Sequence, residues 1–235
     1  MTNDPITFQT TGQATDPTTG QTVHQPIDPE PASPVVPASA LTPLDRSMAV
    51  DAATAHTAIT LVHEEALALD AQRWDDWLDL YTADATFWLP TWTDDHTLSQ
   101  DPQRELSLIW CAARAGLEDR VWRVRSGLSN ASQPLPRTTH LVAGSVVTEQ
   151  VPSTDTPAAP DAHEPRGAAG QGAVDLLVRS NWTCHVHRLR LRADDVFHGH
   201  VEHRLRRVDN AWRIAAKTVI LRNDTIPTMI DFYCV

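Results

Sequence analysis

Four histidines stand at period two on neighbouring stretches: His185 and His187 in CHVHR, and His198 and His200 in FHGHVEH. If the chain reverses near Asp194, His187 and His200 face each other across a hairpin, with Glu202 nearby, and four imidazoles there could hold a metal ion. A slip of one residue in register dismantles that arrangement. The plainer expectation is a His-rich strand face, solvated or against another subunit, with no metal bound. A second constellation is Arg137 with His140 in RTTHLV, where a guanidinium, hydroxyls and an imidazole could receive a carboxylate or move a proton. A His at a strand start more often serves structure. A third is Trp92 followed by Asp94, Asp95 and His96. Acid–base catalysis wants one carboxylate desolvated by apolar neighbours, whereas a large ring rimmed by polar groups suits a subunit contact. We therefore expect Trp92, Asp94 and Asp95 at an interface. Arg120, in GLEDRVWRVRSG, joins them because arginine is enriched in such contacts.

These residues need elements to carry them. Residues 49–71 read as a helix, with Ile59, Val62, Ala66 and Leu69 at spacings of three and four, and His63, Glu64 and Glu65 mostly on the other side. A short helix over residues 73–81 puts Trp74, Trp77, Leu78 and Tyr81 on one face. Asp75, Asp76 and Asp79 fall on the solvated one. After a turn at Ala83–Asp84, ATFWL is a strand stopped by Pro90. LIWCA is a short strand, and GLEDRVWRVRSG a short helix with Leu117, Val121 and Val124 inward. Four longer β runs follow: TTHLVAGSVVTEQ, interrupted at Gly144; VDLLVRSNWTCHVHRLRLR; DVFHGHVEHRLRRV; and AWRIAAKTVILRN after the Asp209–Asn210 turn. Helices first and mostly antiparallel strands afterwards make an α+β domain with helices on the concave face of a curved sheet.

Composition sets the limits. Residues 1–45 are rich in Pro, Thr and Gln and lack hydrophobic periodicity, which predicts a disordered or extended tail. Residues 151–173 have the same character and read as a loop insertion. Residues 46–235 then form a single domain whose core is roughly 165 residues. A formal charge of −11 without a basic stripe argues against nucleic acid. No apolar run approaches the ~20 residues of a spanning helix, and the expected compartment is the cytoplasm. Cys111, Cys184 and Cys234 show no CxxC pairing, so neither a disulfide framework nor a zinc site is indicated. Lys217 is the only lysine, and nothing functional is read from that.

The run RWDDWLDLYTADATFWLPTWTDDHTL, with DPQRELSLIW, GLEDRVWRVRSG and PRTTHLV after it, resembles the small (beta) subunit of aromatic-ring-hydroxylating dioxygenases. PTWTDDHTL and the terminal NDTIPTMIDFY are most similar to the branch acting on benzoate, toluate and anthranilate. The resemblance implies the cone-like α+β fold shared with nuclear transport factor 2, ketosteroid isomerase and scytalone dehydratase. It also implies a structural, non-catalytic role beside an alpha subunit in an α3β3 assembly. That alpha subunit carries a Rieske 2Fe-2S cluster and a mononuclear Fe(II), and a reductase supplies electrons from NADH. The sequence agrees in one respect: a Rieske centre takes two Cys and two His, and no Cys-x-His with Cys-x-x-His pairing occurs here. The benzoate, toluate, anthranilate and halobenzoate substrates stay open. The alternative is a stand-alone isomerase or dehydratase using the cavity of the cone, with Asp70, Tyr81 or His140 as its working groups.

Overall fold

A computed structural model describes residues 50–127, 133–150, 174–226 and 230–235. The expected tail and the 151–173 insertion lie outside these residues. Helix α1 (Ala52–Asp70) opens on Asp51, whose carboxylate accepts from the backbone N–H groups of Ala53 and Thr54. Helix α2 spans Trp74–Asp79 and α3 spans Arg114–Arg125. The strands are β1 (Tyr81–Pro90), β2 (Ser107–Cys111), β3 (Arg137–Gln150), β4 (Asp175–Arg188), β5 (Ala193–Val208) and β6 (Ala211–Leu221). The second helix stops short of its expected end. Tyr81 already belongs to β1, so the expected turn at Ala83–Asp84 lies inside a strand.

All six strands form one sheet in the order β2-β1-β6-β5-β4-β3. Among the described strands every pairing is antiparallel except that of β1 with β6. The β5–β6 turn places Asp209 and Asn210 at φ 49° and 65°, the left-handed pair that a two-residue hairpin needs. Gly144 sits at φ 65° where the β3–β4 register shifts, a bulge that bends the edge strand. The helices cover one face: α1 packs on β3, β4 and β6, and α3 on β1 and β2. Alternation along β4 and β5 turns Val178, Trp182, Cys184, Val186, Phe197, Val201 and Leu205 inward.

The last described segment enters the same core. Phe232 stacks on Trp77 with centroids 5.0 Å apart and meets Trp74 edge-on at 5.4 Å. Gly199, inward on β5, shows how tightly β5 and β6 approach: a Cβ there would overlap the carbonyl oxygen of Ile220. Because that atom is backbone, Gly199→Ala should force the two strands apart. A melting curve should show a fall of many degrees, and an unchanged melting temperature would mean that β6 yields freely.

Candidate functional site

The most concentrated polar chemistry is buried in the cone and centres on Glu65. Its phase on α1 explains its burial. Ala58, Leu61, Val62, Glu65, Ala66 and Leu69 share the stripe that meets the sheet, so the expectation that Glu65 faces solvent is overturned. The carboxylate is 3% exposed. Its Oε1 accepts from Trp77 Nε1 (2.9 Å), Tyr81 Oη (2.8 Å) and Lys217 Nζ (2.7 Å), and its Oε2 accepts from Lys217 at 3.0 Å. The third ammonium proton of Lys217 goes to the main-chain oxygen of Val235 at 3.1 Å, so all three donors are used. Lys217 Nζ also lies 5.5 Å from the centre of the Phe87 ring. His203 Nε2 stands 3.5 Å from Glu65 Oε2.

The electrostatics follow from this packing. Burial alone pushes Glu65 up, but the Lys217 ammonium, with His203, outweighs it and holds the carboxyl well below its usual range. Burial depresses His203, more than the neighbouring Glu65 raises it, so its imidazole is neutral near pH 7. Burial, with the Glu65 charge beside it, drives the Tyr81 phenol far up, so it is a donor and no base.

A second dyad joins α1 to the edge strand. His140 places Nδ1 2.7 Å from Asp70 Oδ1, and its backbone N–H donates to Oδ2 at 2.8 Å. Burial raises Asp70, yet the hydrogen bonds from His140 outweigh it and keep the carboxylate low. The His140 side chain is 4% exposed, so it lies inside the cone rather than on a face a second subunit could reach. The two clusters line a common cavity of ≈ 10 Å³, about the room of one water molecule.

The other expected site residues do not converge. Trp92 follows β1 and is half-buried, donating Nε1–H to the Leu221 carbonyl at 2.7 Å. The Arg222 guanidinium sits 5.6 Å from its ring centre. Asp94 and Asp95 are exposed, and Asp94 caps the turn by accepting from the N–H groups of His96 (2.8 Å) and Thr97 (2.7 Å). Arg120 spans 2.9 Å to Asp231 and so anchors the terminal segment internally. Arg137 is exposed at the start of β3. The histidine hairpin takes another register: His187 opposes Asp194 and His200 opposes Asn181, and their Nδ1 atoms bond to those partners at 2.7 Å each. His187 and His200 are therefore six positions apart, roughly 20 Å along the ladder. Among the described residues no group of three His, Cys, Asp or Glu could hold a metal.

Lys217 and the inward phase of Glu65 are features of the buried site that the sequence expectations do not include. The signals were there: a lone lysine within the apolar run RIAAKTVIL, and a glutamate seven residues after Ala58 and four before Leu69 on one helical stripe.

The fold and this closed interior define a cone-shaped α+β domain whose cavity is filled by its own side chains. The chain belongs to the ring hydroxylating beta subunit family, whose profile matches residues 64–156 and 168–228. It is similar to the 2-halobenzoate 1,2-dioxygenase small subunit of Burkholderia cepacia, with 35% identity over 74% of this chain and 92% of that one. Toluate 1,2-dioxygenase subunit beta of Pseudomonas putida is 36% identical over 73% of this chain and 92% of that protein. The crystal structure of the beta subunit of benzoate 1,2-dioxygenase from Burkholderia mallei ATCC 23344 superposes with a TM-score of 0.55 at 30% identity, covering 79% and 98% of the two chains.

Proposed function

We infer that this chain is the small, structural subunit of a dioxygenase that dihydroxylates an aromatic carboxylate with O2, and that its oxidising centres lie on an alpha subunit. The carrying observation is the 35–36% identity, over nearly the whole length of the relatives, to small subunits of halobenzoate and toluate 1,2-dioxygenases. The donor set of this chain supports a non-catalytic role. A Rieske cluster takes two thiolates and two imidazoles. Cys111, Cys184 and Cys234 are buried and unbridged, and burial pushes the Cys234 thiol up to about 12 and the Cys184 thiol further. Such thiols do not fit the cluster, and no step of the reaction is assigned to this chain. Nor does a cavity of ≈ 10 Å³ admit a benzoate, since ligand pockets run to about 300–1,000 Å³. The Asp70–His140 dyad that would serve an isomerase or dehydratase exists, but without room for a substrate.

The alpha subunit carries the Rieske cluster and the mononuclear Fe(II) in this reading. The assembly is α3β3 and cytoplasmic, and a reductase delivers electrons from NADH. The exposed loop around Trp92, Asp94 and Asp95, with Arg137, meets the alpha subunit, while Arg120 and His140 support that surface from within. No helix among the described residues is long and apolar enough to cross a membrane.

The test is to purify the chain alone and together with the alpha subunit, add reductase, and measure NADH oxidation, O2 uptake and iron with benzoate, toluates, anthranilate and 2-halobenzoates. Turnover and iron are expected only with the alpha subunit present. Turnover of a ketosteroid or hydroxy-aromatic substrate by the chain alone would reverse the assignment.

A further inference from the structure

Of the four buried ring nitrogens that have no hydrogen-bond partner among the described residues, two belong to His203, whose Nε2 stands 3.5 Å from the Glu65 carboxylate, and the other two are Nε1 of Trp182 and Nε2 of His140. A buried N–H or ring nitrogen left unpaired is costly, so such atoms are normally satisfied. Trp182, His140 and His203 all belong to the wall of the ≈ 10 Å³ cavity, which Val142, Val219 and Val235 also line. Trp182 and His140 are neighbours. Val142 pairs with Trp182 and His140 with Cys184, so His140 and Trp182 are diagonal across β3 and β4 on the inward face, within reach of long side chains.

The two atoms need opposite things. An indole N–H only donates. The His140 ring gives its Nδ1 side to Asp70, whose carboxylate stays charged, so in the neutral ring Nε2 is left as an acceptor. No direct bond joins them; a molecule that accepts from one and donates to the other must be amphoteric and no larger than the cavity.

We propose that this cavity binds one internal water, accepting a hydrogen bond from Trp182 Nε1–H and donating one to His140 Nε2. The bound water extends the Asp70–His140 dyad across to β4 and ties the C-terminal end of α1 to two strands. Carboxylate, imidazole and water in series are also the groups with which a general base activates water. Here that set lines a cavity with room for about one water, so it serves cohesion and meets no substrate. The site is independent of whichever aromatic acid the assembled enzyme takes.

A crystal structure of the full chain at a resolution that shows ordered solvent should reveal one peak within about 3.2 Å of both Trp182 Nε1 and His140 Nε2. In solution, a water-selected nuclear Overhauser spectrum of the 15N-labelled chain should show a cross-peak between the Trp182 indole N–H and a slowly exchanging water. Trp182→Phe keeps most of the ring's volume and removes the donor, and the peak should weaken or vanish in that variant while Asp70 and His140 stay bonded. A direct indole–imidazole bond with the cavity collapsed would overturn the proposal. So would density that persists unchanged in Trp182→Phe, or a dry cavity in the natural chain.

Discussion

Lys217→Met is expected to destabilise the domain by about 3–5 kcal/mol, because it leaves the Glu65 carboxylate buried without its counter-charge. The methionine occupies a similar volume, so the loss is electrostatic rather than a cavity effect. Trp77 and Tyr81 still donate to Glu65, but two neutral donors do not replace an ammonium that supplies two of its own bonds. Combining it with Glu65→Gln should recover much of the loss, since the amide oxygen keeps the indole and phenol bonds and no charge is left stranded. The pH dependence separates this from a packing defect. In the natural chain Glu65 and His203 are both held below their ordinary values of 4.5 and 6.5. The unfolded chain therefore binds more protons than the folded one as pH falls, and stability drops, first from His203 below its ordinary value and then from Glu65 at lower pH. In Lys217→Met the buried carboxyl rises instead, and protonating it relieves the stranded charge. The stability gap between variant and natural chain should thus narrow as pH falls from neutrality toward the ordinary carboxyl value of 4.5. Denaturant unfolding at both ends of that range measures it. A loss under about 1 kcal/mol, the scale of an exposed pair, would show that the cluster contributes little to the fold.

Trp92→Ala is expected to leave the free domain folded and to weaken its association with the alpha subunit by about 2 kcal/mol or more, the scale of a buried aromatic hot spot. That is roughly a thirtyfold loss of affinity. The half-buried ring sits on the loop after β1, where it donates to the Leu221 carbonyl and lies beside the Arg222 guanidinium, so the free chain should lose about 1–3 kcal/mol and stay folded. Activity should fall as the complex dissociates and return in part when the small subunit is added in excess. Trp77→Ala makes the contrast. That ring is fully buried between Tyr81 and Phe232 and donates to Glu65, so its loss should cost about 3–5 kcal/mol of fold stability. Melting curves of the free chains and size-exclusion profiles of the mixtures distinguish the two. If Trp92→Ala unfolded the free chain while assembly of the remainder stayed normal, the wedge role would be wrong.

The two kinds of residue differed in how far the sequence disclosed them. Period-two runs, the Asp209–Asn210 turn and the break at Gly144 announced β3 to β6 because each rests on local backbone chemistry. The inward face of α1 is legible in its apolar members, and Glu65 shares their phase despite its charge. Hairpin register was not legible. The β4–β5 turn centres between Arg190 and Leu191, and its left-handed position is taken by Arg192 at φ 51°, a residue type that does not advertise such a turn. Moving the reversal by three residues shifts every partner by six. It leaves the faces intact, so the four histidines stayed on the outer surface while their supposed pairing dissolved. The Asp70–His140 bond and the Glu65–Lys217 pair join residues 70 and 152 positions apart, and no local pattern encodes such meetings.

The one parallel pairing among the described strands, β1 against β6, has a consequence for the time course of folding. Strands β4, β5 and β6 close through short turns, and such hairpins form in microseconds. β1 cannot pair with β6 until that ribbon exists, and the partners Phe87 and Lys217 are 130 residues apart. The slow event is thus the capture of the α1–β1–β2 half by the finished ribbon, an encounter opposed by the entropy of a long loop. Until it occurs, the inner edge of β6 is unpaired and Lys217 has no carboxylate beside it. The strand most exposed to mispairing with other copies is therefore the one that ends up in the middle of the sheet.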